Sequence, residues 1–276
     1  MGGRIAQTLR GRVQLLALTS SAERISALRA NGMVPLLGNL DDRASVRRLS
    51  GLATRVVHLA PPAPQGASDL RTRALMQTLR QRAAPRTLVY GSTSGVYGDC
   101  AGAWVDETRA VKPETARAQR RVDAELAIRH FGRASGVRSS ILRIPGIYAA
   151  DREGGTPRER LHKGLPALRS EDDVYTNHIH ADDLARAFCR ALWRALPQRV
   201  YNVSDDSDMK MGDYFDLAAD LFGLQRPPRI SRQQASQQLS PLQLSFMSES
   251  RRLYNVRMQR ELGLRLRYPT VHSGLL

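Results

Sequence analysis

The stretch from Arg86 to Asp99 constrains the fold more than any other part of the chain. Thr87-Leu88-Val89-Tyr90 is an apolar, β-favouring run that stops at Gly91 and opens into Ser92-Thr93-Ser94-Gly95-Val96-Tyr97-Gly98. A buried parallel strand whose carboxyl end carries a site has this form. The hydroxyls can bond a substrate oxygen, and Gly95 and Gly98 permit tight turns that bring backbone close to a ligand. Ser, Thr and Gly after a strand are also ordinary turn residues. The weight of the segment therefore comes from what stands on either side of it.

On both sides strands alternate with helices. Met1 to Leu9 reads as a helix with Ile5, Ala6 and Leu9 on one face. Val13 to Leu18 then reads as a buried strand, followed by a turn and cap at Thr19-Ser20-Ser21 and a helix from Ala22 to Ala30. A short strand from Met33 to Leu37 ends in Gly38-Asn39-Leu40-Asp41-Asp42, and 43–49 reads as helix. Arg55 to Ala60 is a further buried strand stopped by Pro61-Pro62, and a long helix fits Ala67 to Arg82. After the organising strand come a helix from Glu114 to Ser135 and a strand from Val137 to Ile144, halted by Pro145-Gly146. This order predicts an α/β fold, a doubly wound parallel sheet covered on both faces. Beyond Tyr148 the alternation becomes irregular. Helices fit Asp182 to Leu196 and Met211 to Phe222, with a strand at 199–203, and the tail from Arg226 is rich in Arg, Gln and Ser. This part is expected to form a small lobe over the carboxyl edge of the sheet.

Composition narrows the function classes. The net charge is +16, but all but three of the 42 basic residues are arginines, scattered over every predicted helix. A preference for Arg over Lys explains that pattern without a polyanionic partner, and no zinc-finger, RNP or helix-turn-helix motif accompanies it. Nucleic acid is not the expected partner. No apolar run approaches the roughly 18 to 20 residues of a membrane-crossing helix. Nor does a basic segment followed by an apolar one mark a secretion signal. The two cysteines, Cys100 and Cys189, give neither a disulfide framework nor a zinc ribbon, so a reducing cytoplasm is the expected location.

Several ordered motifs then resemble one family, the extended short-chain dehydrogenases/reductases of the NAD-dependent epimerase/dehydratase type, in an atypical form. Gly38-Asn39-Leu40-Asp41-Asp42 is similar to that family's adenine-side Gly-Asp-Leu-x-Asp segment, and Val57-His58-Leu59-Ala60 to its fourth-strand segment beside the cofactor. Ser92 to Gly98 resembles the Ser-Ser-x-x-Val-Tyr-Gly loop, with Thr93 at the catalytic Ser/Thr position. Arg143-Ile144-Pro145-Gly146-Ile147-Tyr148 resembles the segment near the nicotinamide, and His178 to Asp183 and Tyr201-Asn202-Val203 resemble later landmarks. The resemblance spans essentially the whole chain. It implies a Rossmann-like NAD(P)-binding domain over 1–147 with 176–204 contributing, and a substrate-side lobe from 148–175 and 205–276. By the same resemblance the cofactor would touch Gly2, Asn39, Leu40, His58, Leu59, Ala60, Ser92, Arg121, Ile144, Pro145 and Ile147, and two helices of the sheet domain are a possible homodimer face.

Two departures stand out. The family opens with a strand and a glycine-rich loop that seats pyrophosphate on a helix N-terminus. Here Gly2 falls at the last of those glycines, so the first strand is expected to be missing, as in a chain whose true start lies upstream. The second departure is chemical. Aligning Glu125 with the family's glutamate puts Arg117 at the Tyr and Arg121 at the Lys of Tyr-x-x-x-Lys. An arginine stays protonated at neutral pH, so Arg117 cannot relay a proton, whereas Arg121 can still donate to a ribose or phosphate. The three arginine and glutamate positions also fit a solvated ion-pair face, and Arg143 fits either a phosphate or a core carboxylate.

The candidate catalytic residues are thus Thr93 and Tyr97, with Ser94 as a second orienting hydroxyl and Tyr148 and Tyr175 as other proton donors. Tyr97 equally fits a ring packed over its own loop. Cofactor preference rests on Thr19, Ser20 and Arg24 after the second predicted strand position, where no acid waits for a ribose hydroxyl. Hydroxyls and an arginine suit a 2′-phosphate, favouring NADP over NAD, although a serine cap and a solvated arginine explain the same residues. His178 and His180 share a strand face without a third ligand, so no metal is expected, and Glu171-Asp172-Asp173 reads as a surface acid run. The expected function is an NAD(P)-dependent oxidoreductase or epimerase/dehydratase relative acting on a small or nucleotide-sugar-like substrate. The alternatives are a catalytically inactive NADP-binding sensor or structural protein and, more distantly, a polyanion binder.

Overall fold

The protein, seen in a computed structural model, is described over residues 1–276, Leu242 by its backbone alone. It starts with α1 (Gly2–Leu9), β1 (Leu16–Thr19), α2 (Arg24–Ala30), β2 (Val34–Leu37), α3 (Arg43–Val46) and β3 (Arg55–His58). Next come α4 (Leu70–Leu79), β4 (Thr87–Thr93), β5 (Trp104–Val105), α5 (Ala116–Ala134) and β6 (Arg138–Ile144). The irregular part supplies β7 (Gly146–Tyr148), α6 (Arg158–His162), β8 (Ala167–Leu168), β9 (Tyr175–Thr176), β10 (His178–His180), α7 (Ala181–Arg194) and β11 (Arg199–Asn202). Last are β12 (Met209–Lys210), α8 (Met211–Phe222), β13 (Arg229–Ile230), α9 (Arg232–Gln238), α10 (Pro241–Phe246), β14 (Arg252–Leu253), α11 (Val256–Leu262) and α12 (Val271–Leu275).

The expected parallel sheet is present. Four strands run in the order β11-β6-β4-β3, all parallel, with Val89 opposite Val57 on one side and Ser140 on the other. Strand periodicity sends alternate residues to opposite faces. Val89, Leu142 and Tyr201 face α1 and α7, where they meet Ile5, Leu184 and Phe188. Leu88, Tyr90 and Ile141 face α4 and α5, where they meet Leu75, Ile128 and Phe131. Each such side chain, removed from water, contributes about 1.5–3 kcal/mol. Gly91 is required at the close crossing of α7: a Cβ there would lie 3.1 Å from the Phe188 ring.

β1 and β2 pair with each other, Ala17 opposite Pro35, as a separate two-stranded parallel sheet. Among the described residues no strand joins this pair to β3, whose only partner is β4.

Several boundaries have local causes. α4 starts at Leu70 and not at Ala67, because Asp69 caps it by accepting the Thr72 amide at 3.0 Å. α5 is capped by Thr115, which accepts the Ala118 amide at 3.2 Å, and Gly136 turns the chain beyond it at φ +63°. Ser20 and Ser21 do not cap α2; its N-cap is Glu23, without a side-chain bond.

The tail is more ordered than its composition suggests. The lobe core gathers Tyr148, Leu161, Tyr214, Phe215, Met247 and Leu275. In contrast, Met258, Leu262 and Leu264 pack on the sheet beside α7, so 256–264 belongs with the sheet and not with the lobe as expected. The acid run also differs from its surface reading: Asp173 is buried and accepts the Gly212 amide at 2.7 Å, and Asp172 accepts the Arg232 amide at 2.9 Å. No helix among the described residues is long and apolar enough to cross a membrane.

Candidate active site

A cleft of about 590 Å³ opens between the carboxyl ends of β4 and β6 and the lobe. Thr93, at the end of β4, caps the 3-10 turn 94–97 and accepts the Gly95 amide at 3.2 Å through Oγ1. That bond uses a lone pair and leaves the hydroxyl proton to donate into the cleft, which Thr93 and Ser94 both line. Pro145, Ile147 and the Tyr148 ring line it after β6. Arg117 and Arg121 line it from α5, one helical turn apart.

The two arginines differ. Arg121 is half-buried and donates through Nη1 to the Gly91 carbonyl at 2.8 Å and the Tyr90 hydroxyl at 2.9 Å, so its guanidinium is fixed at the carboxyl end of β4. Burial pushes the Tyr90 phenol up to about 12 against the pull of that guanidinium, which keeps the phenol neutral. Arg117 is exposed and lies over the Phe246 ring, 5.3 Å from its centroid. Glu125, the next position on this face, is turned inward. It is buried, pairs with Arg143 at 2.7 Å and accepts the Ser92 hydroxyl at 2.6 Å. Neither the solvated ion-pair face nor a phosphate on Arg143 is realised; Arg143 takes the core carboxylate.

Tyr97 is not brought to the cleft. It is 1% exposed, its hydroxyl donates to Asn202 Oδ1 at 2.7 Å, and the Arg143 guanidinium sits 4.7 Å from its ring. Burial raises its pKa, so it stays neutral. Tyr148 also directs its hydroxyl away, to the Thr270 carbonyl at 3.2 Å. His180 caps α7 by accepting the Asp182 amide at 3.2 Å. His178 is buried against Tyr214, ring centroids 4.3 Å apart, and burial lowers its pKa to about 4.

The residues expected to touch a dinucleotide lie at the carboxyl ends of β1, β2, β3, β4 and β6, along one edge. Ser20, Arg24 and Asn39 are exposed, and Thr19, Leu40, Leu59 and Ala60 are half-buried. Two of the set point inward instead: Ser92 bonds Glu125, and His58 is buried with Nε2 2.8 Å from Thr72 Oγ1, its pKa lowered by burial to about 3. Gly2 lies beside this edge, its α-carbon side facing Leu59, and a Cβ on Gly3 would meet nothing within 4 Å.

The profile of the "NAD dependent epimerase/dehydratase family" matches residues 2–204. The chain belongs to this family. A solved structure, described as a functionally unknown conserved protein from Silicibacter pomeroyi, is 32% identical over 100% of this chain and 93% of its own, with a TM-score of 0.81. RMD from Pseudomonas aeruginosa, complexed with NADPH, is 20% identical over 95% of this chain and 97% of its own, with a TM-score of 0.72. UDP-glucose 4-epimerase from Thermotoga maritima, with UDP-glucose, is 16% identical over 99% of this chain and 92% of its own, with a TM-score of 0.81. The last two show the family's fold alone. No match was found among the curated proteins.

Sequence reasoning missed the cleft residues that the lobe supplies. Arg160, Tyr214, Phe246, Glu249 and Arg251 all line the cleft from the lobe. Arg160 lies over the Phe215 ring at 4.7 Å, and Arg251 pairs with Glu249 at 2.8 Å. The lobe carries no motif that announces them. The one local signal was the pair of capping boxes, Ser231 with Gln234 and Ser240 with Gln243, which start α9 and α10.

Proposed function

We propose that the protein binds NADP or NAD along the carboxyl edge of its sheet and acts on a small or nucleotide-sugar-like substrate in the cleft beside it. The observation that carries this reading is the convergence of three distant segments on one cleft wall: Thr93 after β4, Arg121 on α5 and Pro145 to Ile147 after β6. The residues fit a dinucleotide. The first amides of α1 carry no side-chain cap and a Cβ on Gly3 would meet nothing within 4 Å, so this helix N-terminus has donors and room for a pyrophosphate. When bound, a nicotinamide dinucleotide supplies hydride transfer to or from a substrate carbon.

This chain's own residues supply the rest. Thr93 donates its hydroxyl proton to a substrate oxygen. Arg121, held by Tyr90 and Gly91, presents its remaining donors to a ribose or phosphate oxygen. Ser20 and Arg24, both exposed after β1, suit a 2′-phosphate and favour NADP. Thr93 then remains from the expected catalytic pair, since Tyr97 bonds Asn202 inside the core.

A second reading is a protein that holds NADP without turnover, and one specific observation favours it. Arg117 occupies the cleft wall with a group that cannot exchange a proton near neutral pH. Titrating the full chain with NADPH and NADH, followed by nicotinamide fluorescence, tests the shared part. Saturable binding, tighter for NADPH, is expected; no binding of either sinks both readings. Hydride turnover on UDP-glucose and other nucleotide sugars separates them, and a Thr93→Val variant should lower such turnover by about 100-fold.

A further inference from the structure

Positive charge in the cleft is not balanced by the protein. Four guanidiniums line it, those of Arg117, Arg121, Arg160 and Arg251, against the single carboxylate of Glu249, which already pairs with Arg251. Among the described residues no carboxylate lies within ion-pair distance of Arg117, Arg121 or Arg160. Arg160 is a half-buried cation whose Nε is buried without a hydrogen bond, and burial lowers its pKa. Arg117 stands in the first turn of α5, where the helix dipole disfavours a cation and no acidic side chain offsets it. Arg121, one turn on, adds like-charge repulsion. Arg121 is nevertheless held by its two bonds through Nη1, and the Arg117 guanidinium lies over the Phe246 ring, 5.3 Å from its centroid. Packing on a ring face leaves the guanidinium's N–H edge free for a bidentate oxyanion.

We infer that the substrate of this cleft carries an acidic group, a carboxylate or a phosphate, and that Arg117 receives it. The inference rests on the proposed function for the word substrate, and it narrows that reading to charged substrates, excluding neutral aldehydes, ketones and free sugars. Arg117 then sets specificity: it places the anion in the space that the Thr93 hydroxyl also faces. No bond is made or broken in this step.

The test titrates the full chain with sodium malonate and, separately, with inorganic phosphate, by calorimetry, with and without saturating NADPH. The two probes distinguish a carboxylate from a phosphate source. At least one should bind and be retained in NADPH. Arg117→Gln should weaken that probe about tenfold or more, as expected for one charge-assisted contact. Arg160→Gln should weaken it less, and Arg133→Gln, on the exposed far part of α5, not at all. NADPH affinity of Arg117→Gln should stay within about twofold. The inference is overturned if neither probe binds, if NADPH displaces the anion, or if Arg117→Gln binds it like the wild type, whatever Arg160→Gln does. Failure of the proposed function would read differently, as no NADPH binding with anion binding still sensitive to Arg117.

Discussion

The four-stranded sheet and the separate β1–β2 pair are built to different standards. Around β4 the first six residues are buried, and so are the five central residues of β6. In the β1–β2 half every residue of β1 is only half-buried, Val34 and Leu37 of β2 are exposed, and α2 buries no residue at all. The lesson lies in what each half carries. The β4–β6 half forms the wall of the cleft, which Thr93 and Arg121 line. A polar chain from Ser92 through Glu125 and Arg143 to Tyr97 and Asn202 crosses its interior. The β1–β2 half ends in exposed residues, Ser20 after β1 and Asn39 after β2.

The largest expected contrast is between ion pairs. Glu125 and Arg143 are both about 97% shielded from water, whereas Asp41 and Arg71 near β2 form an exposed pair at 2.6 Å. Glu125→Ala leaves a buried guanidinium unpaired and should cost about 3–5 kcal/mol, seen as a lower denaturant midpoint. Asp41→Ala should cost less than about 1 kcal/mol in the same measurement. Equal losses would mean that the two halves share one level of burial. Apolar truncation sharpens the point. Leu88→Ala, at 0% exposure, should cost about 2–5 kcal/mol, and Leu18→Ala on half-buried β1 only about 1 kcal/mol.

Titration separates the sheet from the lobe junction. His58 at the end of β3 and His178 at the lobe are kept neutral by burial down to about 3 and about 4. The unfolded chain protonates both near pH 6.5, so their contribution is lost as pH falls below that value. Asp205, whose amide donates to the His178 carbonyl at 2.7 Å, has the opposite sign. Burial raises its carboxyl to about 7, so the native chain holds a proton that the unfolded chain releases above about pH 4. Its contribution is present in acid and lost as pH rises to 7. Asp205→Asn removes that opposing slope. Between pH 4.5 and 6.5 the variant's stability should climb more steeply than the wild type's, by roughly 1 kcal/mol per pH unit. Parallel curves would contradict this assignment.

Local patterns made much of this legible. The run Thr87–Tyr90 and its glycine stop gave a strand end with hydroxyls on it, and α8 fills the whole predicted span from Met211 to Phe222. Those features depend on periodicity and on residues a few positions apart. What stayed hidden depends on distance along the chain. Ser92 looks like a site hydroxyl until Glu125, 33 residues on, takes its proton donor into the core. Arg160 and Phe246 reach the cleft from a lobe whose packing no repeat encodes. The acid run at 171–173 read as surface because its partners, the amides of Gly212 and Arg232, are backbone groups that a sequence does not display.

Tyr97 provides the smallest and most discriminating test. A tyrosine after a strand-end hydroxyl loop is where a proton donor would be sought, yet its ring is closed in by Arg143 and its hydroxyl is spent on Asn202. Asn202 in turn donates Nδ2 to the carbonyls of Val105 and Tyr254 at 3.1 and 3.2 Å, tying β11 to the paired strands β5 and β14. Tyr97→Phe keeps the ring and deletes one buried hydrogen bond, leaving Asn202 Oδ1 without its donor. The expected cost is about 1–2 kcal/mol of stability, from denaturant melts, with NADPH affinity unchanged. If stability held and turnover collapsed instead, the hydroxyl would have to leave Asn202 and enter the cleft, and the rigid wall described for the β4–β6 half would have to open to let it.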